Sequence, residues 1–151
     1  MIATGLLAPP FAATTTRGEP FRLEDHRGRY VVIYFYPRAF TPGCTRQAVS
    51  FHAAEDEIRA LGAEIVGISV DDYKTQCDFA AKLELGYALI ADQGREISRT
   101  YGVLRKWLPF DRRVTFIVDP KGVVVARFQH EILFSRHARE VVGFLKGATE
   151  S

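Results

Sequence analysis

Cysteine is the side chain that most readily becomes a nucleophile near neutral pH, and this chain has two, Cys44 and Cys77. Cys44 lies in the stretch YVVIYFYPRAFTPGCTRQ, Tyr30 to Gln47. Just ahead of it, Thr41-Pro42-Gly43 reads as a helix start, because threonine can cap and proline at the first helical position gives up no needed hydrogen bond. Cys44 then falls in the first turn, where unpaired amides and the positive end of the helix dipole favour an anion. That placement suits a thiolate nucleophile. A cysteine in a helical first turn is also commonly no more than a small buried hydrophobe, so its chemistry depends on its neighbours.

A thiolate needs positive charge beside it, and an electrophile needs donors in line with it. Thr41, the amides of Gly43 and Cys44, and Arg113 are the candidates for both. Arg113 could be an ordinary surface cation next to Arg112, but a planar donor that stays protonated suits a thiolate better than lysine does. Pro37 terminates the strand before the cysteine and brings a ring without an amide donor, which can shield a thiolate from water. His52 stands eight residues beyond Cys44, about 12 Å along a helix, too far for a direct base. His26, His130 and His137 read as surface or packing residues. No Cys/His spacing resembles a metal centre.

The elements that must position these groups follow from the apolar pattern. Tyr30 to Tyr36 is a continuous apolar run without polar alternation, as expected of a central strand buried on both faces. The helix from Pro42 to about Leu61 sets Ala48, Phe51, Ala54 or Glu55, Ile58 and Leu61 along one side, and Gly62 ends it. Ala63 to Val70 is a second buried strand, Tyr73 to Leu85 a helix carrying Cys77, Tyr87 to Ala91 a short strand, and Gly94 to Tyr101 a helix. Val114 to Val118 and Val123 to Phe128 form a hairpin around Asp119-Pro120-Lys121-Gly122, a type I turn sequence. Ser135 to Lys146 closes the chain as a helix, and Phe11 to Asp25 fits an N-terminal β-hairpin. Val103 to Arg112 is irregular and basic, with Trp107, Leu108 and Phe110 that no periodicity buries. It either packs on the core or lines the mouth of the Cys44 site and receives a partner protein. Two βα units, a hairpin and a helix give an α/β, thioredoxin-like fold: a mixed central sheet flanked by helices.

With 151 residues and a hydrophobic fraction of 47%, the chain reads as one domain, residues 1–151. A formal charge of +2 is too near neutral for a nucleic-acid or membrane-surface protein. The N-terminus lacks a basic start and is broken by Gly5, Pro9 and Pro10, so a signal peptide is not expected, and no run is long enough to cross a bilayer. Two cysteines do not make a disulfide scaffold, and the expectation is a cytoplasmic protein, monomer or homodimer, whose thiol is kept reduced.

The residues also carry a family resemblance. Pro37-x-x-x-Thr41-x-x-Cys44 after Tyr34-Phe35-Tyr36, with Phe40 between, resembles the peroxidatic-cysteine motif of the peroxiredoxins. Thr41-Pro42-Gly43-Cys44-Thr45 is most similar to the bacterioferritin-comigratory-protein type. A second block, Arg113 to Asp119, matches where that family places its active-site arginine, two residues before a Thr/Ser-Phe pair. The resemblance covers nearly the whole chain and implies the same thioredoxin-like fold. It further implies a thiol peroxidase without bound cofactor, in which Cys44 reduces hydrogen peroxide or an organic hydroperoxide, Thr41 contacts the peroxide, and Phe40, Gly43 and Gln47 adjoin the substrate. A thiol, with thioredoxin the implied donor if a disulfide forms, returns the enzyme to its reduced state.

Two positions depart from the family pattern. Gln47 stands where a glutamate linked to the arginine is common, and Val49 where many relatives of this type keep a resolving cysteine. Some relatives resolve from the helix that holds Cys77, about one turn later. Cys77 is therefore either a resolving cysteine, which requires local unfolding around Cys44 to bring the Cα atoms within about 7 Å, or a half-buried helix residue. Two rival functions are a thiol-disulfide oxidoreductase, which Thr41 weakens by standing where a Cys-x-x-Cys pair has its first thiol, and a redox-inactive thioredoxin-fold binding module, which the retention of Thr41, Cys44 and Arg113 weakens.

Overall fold

The computed structural model describes residues 1–149. Its centre is strand β3, Tyr30–Phe35, in the middle of a five-stranded sheet that also contains β4 (Ala63–Ser69), β5 (Ala88–Ala91), β6 (Val114–Val118) and β7 (Val124–Gln129), in the order β5-β4-β3-β6-β7. β3 runs parallel to β4 and antiparallel to β6. From Val31 onward its side chains are buried on both faces, which is why the sequence shows no alternation there.

Val32, Tyr34 and Tyr36 pack on one face with helices α1 (Pro42–Ala60) and α4 (Arg136–Thr149) and with Phe79 of α2 (Tyr73–Lys82). Val31, Ile33 and Phe35 pack on the other with α3 (Glu96–Tyr101) and the N-terminal segment. That segment also guards both sheet edges. Thr15, just past β1 (Ala12–Thr14) in the hairpin with β2 (Pro20–Arg22), bridges to Ile90 of β5, while Leu7 bridges to Val123 at the start of β7. Where the segment pairs, it takes up edge backbone that could otherwise pair with another chain.

Several boundaries differ from the sequence reading for local reasons. α2 stops at Lys82 rather than Leu85, because Glu84 takes a left-handed backbone (φ +51°). α3 begins at Glu96 rather than Gly94: Arg95 is left-handed, and the Asp92 carboxylate accepts hydrogen bonds from the Ile97 and Ser98 amides at 3.2 and 2.7 Å. Of the alternatives on α1, Glu55 is buried and Ala54 partly so, Glu55 pairing with Arg59 at 2.8 Å. The segment 103–112 is a narrow loop, with Leu104 bridged to Asp111 and the Arg112 amide bonded to the Val103 carbonyl at 2.8 Å. Its tip holds Trp107, 85% exposed.

Candidate active site

The antiparallel register sets Phe35 opposite Val114, so the C-terminal end of β3 and the start of β6 lie at the same end of the sheet as the first turn of α1. Between them the 37–41 loop is fixed by Asp71, whose carboxylate accepts from the Ala39 amide and the Ser69 hydroxyl, each at 2.7 Å. Phe40 adopts φ +66° and turns its half-exposed ring onto Phe79, centroids 5.1 Å apart. Pro42 occupies the first turn of α1 as expected.

Thr41 sits at the cap position, but its hydroxyl does not cap. It donates to the Arg38 carbonyl at 2.8 Å and so closes the preceding loop instead of satisfying an amide of the helix. The amides of Gly43 and Cys44 in the first turn thereby retain the unsatisfied character of a helix start.

Cys44 is 1% exposed, within the cluster of Tyr34, Tyr36, Ala39, Ala48 and Phe79. Arg113, immediately before β6, reaches over it: Nη1 lies 3.4 Å from Sγ and 2.6 Å from Oε1 of Gln47. Its Nε donates to the Glu131 carbonyl at 3.3 Å, its backbone amide to Glu131 Oε1 at 3.3 Å, and Phe134 covers its guanidinium at 4.6 Å. Arg113 is buried, yet no carboxylate among the described residues forms an ion pair with it; Glu131 Oε2 is engaged by Arg105 at 2.8 Å. Beyond the Gln47 oxygen, the group that Nη1 faces is the Cys44 sulfur. Gln47 is fully buried, and its Nε2 finds no hydrogen-bond partner among the described residues.

Three buried tyrosines tie the sheet to α1 and α2 beside the site. The Tyr34 and Tyr87 hydroxyls lie 2.8 Å apart and Tyr87 donates to the Ala48 carbonyl at 2.9 Å, while Tyr36 donates to Gln76 Oε1. Burial pushes the Tyr34 and Tyr36 hydroxyls well above the usual tyrosine range, so they remain protonated donors at neutral pH.

The structure thus brings Cys44, Gly43, Gln47 and Arg113 together, with Thr41, Phe40 and Pro37 in the adjoining loop. Cys77 is half-buried on the flank of α2 toward the N-terminal hairpin, Sγ 3.9 Å from the Thr16 carbonyl oxygen; the side chains that α2 buries are Gln76 and Phe79. His52 accepts from the Gly86 amide at 3.2 Å. His137 is more than packing: wholly buried, it bonds Thr115 Oγ1 at 2.8 Å and the His130 carbonyl at 2.9 Å. Among the described residues no cluster could hold a metal ion, and no helix is long and apolar enough to cross a membrane. The sequence reading passed over Glu131 and Phe134. They occupy an irregular connection whose only signal was a phenylalanine shortly after a strand.

A buried thiol in a helix first turn beneath a guanidinium that has no ion-pair partner among the described residues is an arrangement suited to thiol redox chemistry. Residues 4–127 match the AhpC/TSA family, and the chain belongs to that family. It is 35% identical to the chloroplastic peroxiredoxin Q of Gentiana triflora over 97% of this chain and 68% of that one. The crystal structure of the peroxidoxin BcpB of Mycobacterium tuberculosis superposes with a TM-score of 0.90 at 30% identity, covering 97% of this chain and 98% of that one. The bacterioferritin comigratory protein of Xanthomonas campestris, whose structures address alkyl peroxide reduction, superposes with a TM-score of 0.87 at 29% identity, covering 97% and 99%. The fold is thioredoxin-like, and the protein is a thiol-dependent peroxidase. Neither the binding-module reading nor the thiol-disulfide oxidoreductase reading is needed.

Proposed function

We propose that Cys44 is the residue that reacts with peroxide and that Arg113, Thr41, Gly43 and Pro37 serve it. The observation that carries this is the Arg113 guanidinium, 3.4 Å from Sγ and without an ion-pair partner among the described residues. The thiolate attacks the terminal oxygen of the hydroperoxide, the S–O bond forms as the O–O bond breaks, and the terminal oxygen keeps its hydrogen to give a sulfenic acid. The departing oxyanion takes a proton from solvent and leaves as water or alcohol. Arg113 and the amides of Gly43 and Cys44 stabilise that developing charge. Because the Thr41 hydroxyl donates to Arg38, its lone pairs are left to accept from the O–H of the peroxide. Pro37 excludes an amide donor from beside the sulfur.

The substrates on this reading are hydrogen peroxide and organic hydroperoxides. Exposed Phe40 in the loop before α1, and Ile132 and Leu133 just before Phe134, suit an alkyl group. A thiol then reduces the sulfenate, either directly or after Cys77 has condensed with it, and a thioredoxin-like protein is the fitting donor to a disulfide. Two free thiols favour a reducing compartment such as the cytoplasm.

The experiment is mass spectrometry under non-reducing conditions after one equivalent of hydrogen peroxide, on the unmutated protein and on Cys44→Ser and Cys77→Ser. Cys44→Ser should fold normally and consume no peroxide; turnover by that variant would end the reading. A Cys44 to Cys77 linkage in the unmutated protein, together with slower thioredoxin-coupled turnover of Cys77→Ser, identifies Cys77 as resolving. A persisting sulfenate in both identifies a one-cysteine enzyme.

A further inference from the structure

We propose that Phe134 is a positioning residue for the peroxide reaction, holding Arg113 against Cys44. Its ring meets both parts of the site. The centroid lies 4.6 Å from the Arg113 guanidinium carbon, and a Cβ added at Gly43 would fall 2.5 and 2.6 Å from ring atoms Cε1 and Cζ. One side chain therefore packs on the cation and on the residue preceding the nucleophile.

The chemistry of the contact matters as much as its place. A buried guanidinium is ordinarily compensated by a carboxylate. Here, among the described residues, its side-chain nitrogens meet the Cys44 sulfur, the Gln47 amide oxygen and the Glu131 carbonyl. An aromatic face attracts the cation through its quadrupole without cancelling the charge, whereas a carboxylate would both neutralise it and occupy its N–H groups. Arg113 thus keeps its charge for the thiolate and for the leaving oxygen.

The segment that bears Phe134 is anchored to β6, the strand that Arg113 leads into. His137 bonds the His130 carbonyl with one ring nitrogen and the Thr115 hydroxyl with the other, and Thr115 stands two residues after Arg113. Glu131 ties the segment to the Arg113 backbone and to Arg105, and the Ser50 hydroxyl of α1 reaches the Ser135 carbonyl at 3.4 Å. The ring is held from both sides rather than resting loosely on the site.

The inference rests on Cys44 and Arg113 acting as proposed above, a premise that Cys44→Ser tests separately. Its own test is a set of single-turnover rate constants with hydrogen peroxide for the pre-reduced full chain, measured for Phe134→Leu, Phe134→Met and Phe134→Tyr, each also made together with Arg113→Gln. Leucine and methionine keep apolar bulk but remove the ring face, and should slow the reaction about tenfold, while tyrosine should stay within about twofold of the unmutated protein. In the Arg113→Gln background the same three substitutions should have no further effect, because the residue acts through the guanidinium. Equal rates for leucine, methionine and tyrosine would overturn the proposal. So would a loss for leucine and methionine that persists at full size without Arg113, since that would mark Phe134 as packing alone.

Discussion

At the scale of single residues the site depends on one arginine making four different contacts. Arg113 Nη1 serves both the sulfur and Gln47, Nε serves the Glu131 carbonyl, and the plane of the group lies under Phe134. A lysine ammonium is a point charge on a flexible stem and cannot meet an amide oxygen, a carbonyl and a sulfur from fixed directions. Arg113→Lys is therefore expected to lower kcat/KM for hydrogen peroxide by about a hundredfold while the charge is kept. Steady-state peroxide consumption with a small-molecule thiol as reductant checks it; a rate near that of the unmutated protein would mean that charge alone suffices. The placement of Cys44, Thr41 and Arg113 was legible because a strand, a proline-started helix and a second strand each leave a local signal. The role of Glu131 was not, because it acts partly through a backbone carbonyl, which any residue could present. The direction of the Thr41 hydroxyl was hidden for a related reason: the competing acceptor, Arg38, is also a carbonyl.

At the scale of elements, the start of α1 is fitted rather than merely capped. Gly43 is helical, so a methyl group there would be conformationally acceptable, even favoured by propensity. The obstacle is tertiary: the new carbon would lie 2.5 Å from the Phe134 ring. That ring also packs on the Arg113 guanidinium. Gly43→Ala should therefore cost about 1–3 kcal/mol of stability, the usual penalty of overpacking, in place of the gain that propensity alone predicts. Urea unfolding of the reduced protein gives the sign directly, and a stabilised variant would show that the ring yields freely. Glycine before the cysteine was readable as part of a helix start, but not the reason for it, since its partner comes from a loop far along the chain. The same separation explains the helix ends. Leu83 and Leu85 continue the apolar pattern of α2, and only the left-handed backbone at Glu84 stops it.

At the scale of the whole molecule, two buried titratable groups set opposing dependences of stability on pH. Asp111, at the base of the loop that precedes Arg113, is pushed up to about 7, chiefly by burial and against a hydrogen bond from Ser98; its Oδ1 has no partner among the described residues. Its folded form holds a proton more tightly than the unfolded chain does. The stability it contributes is fully present below the unfolded carboxyl value and is lost as pH rises toward 7. His137 is pushed down to about 4, again chiefly by burial, so the unfolded chain binds that proton more tightly. Its contribution is present above about 6.5 and is lost on acidification toward 4. Between these limits the two slopes oppose each other, and the unmutated protein should show a shallow profile. Asp111→Asn removes one of them. The amide stays neutral at every pH, so the variant should be more stable than the unmutated protein at pH 8, by an amount of order a few kcal/mol. At pH 4, where Asp111 is already protonated in the folded state, the difference should nearly vanish. Because the carboxyl bridges α3 to the loop leading into Arg113, neutralising it should tighten that loop without touching the sulfur. Urea midpoints at pH 4, 6 and 8 for both proteins decide the matter. An advantage for the variant that does not grow between pH 4 and pH 8 would show that Asp111 titrates as an ordinary exposed carboxylate does.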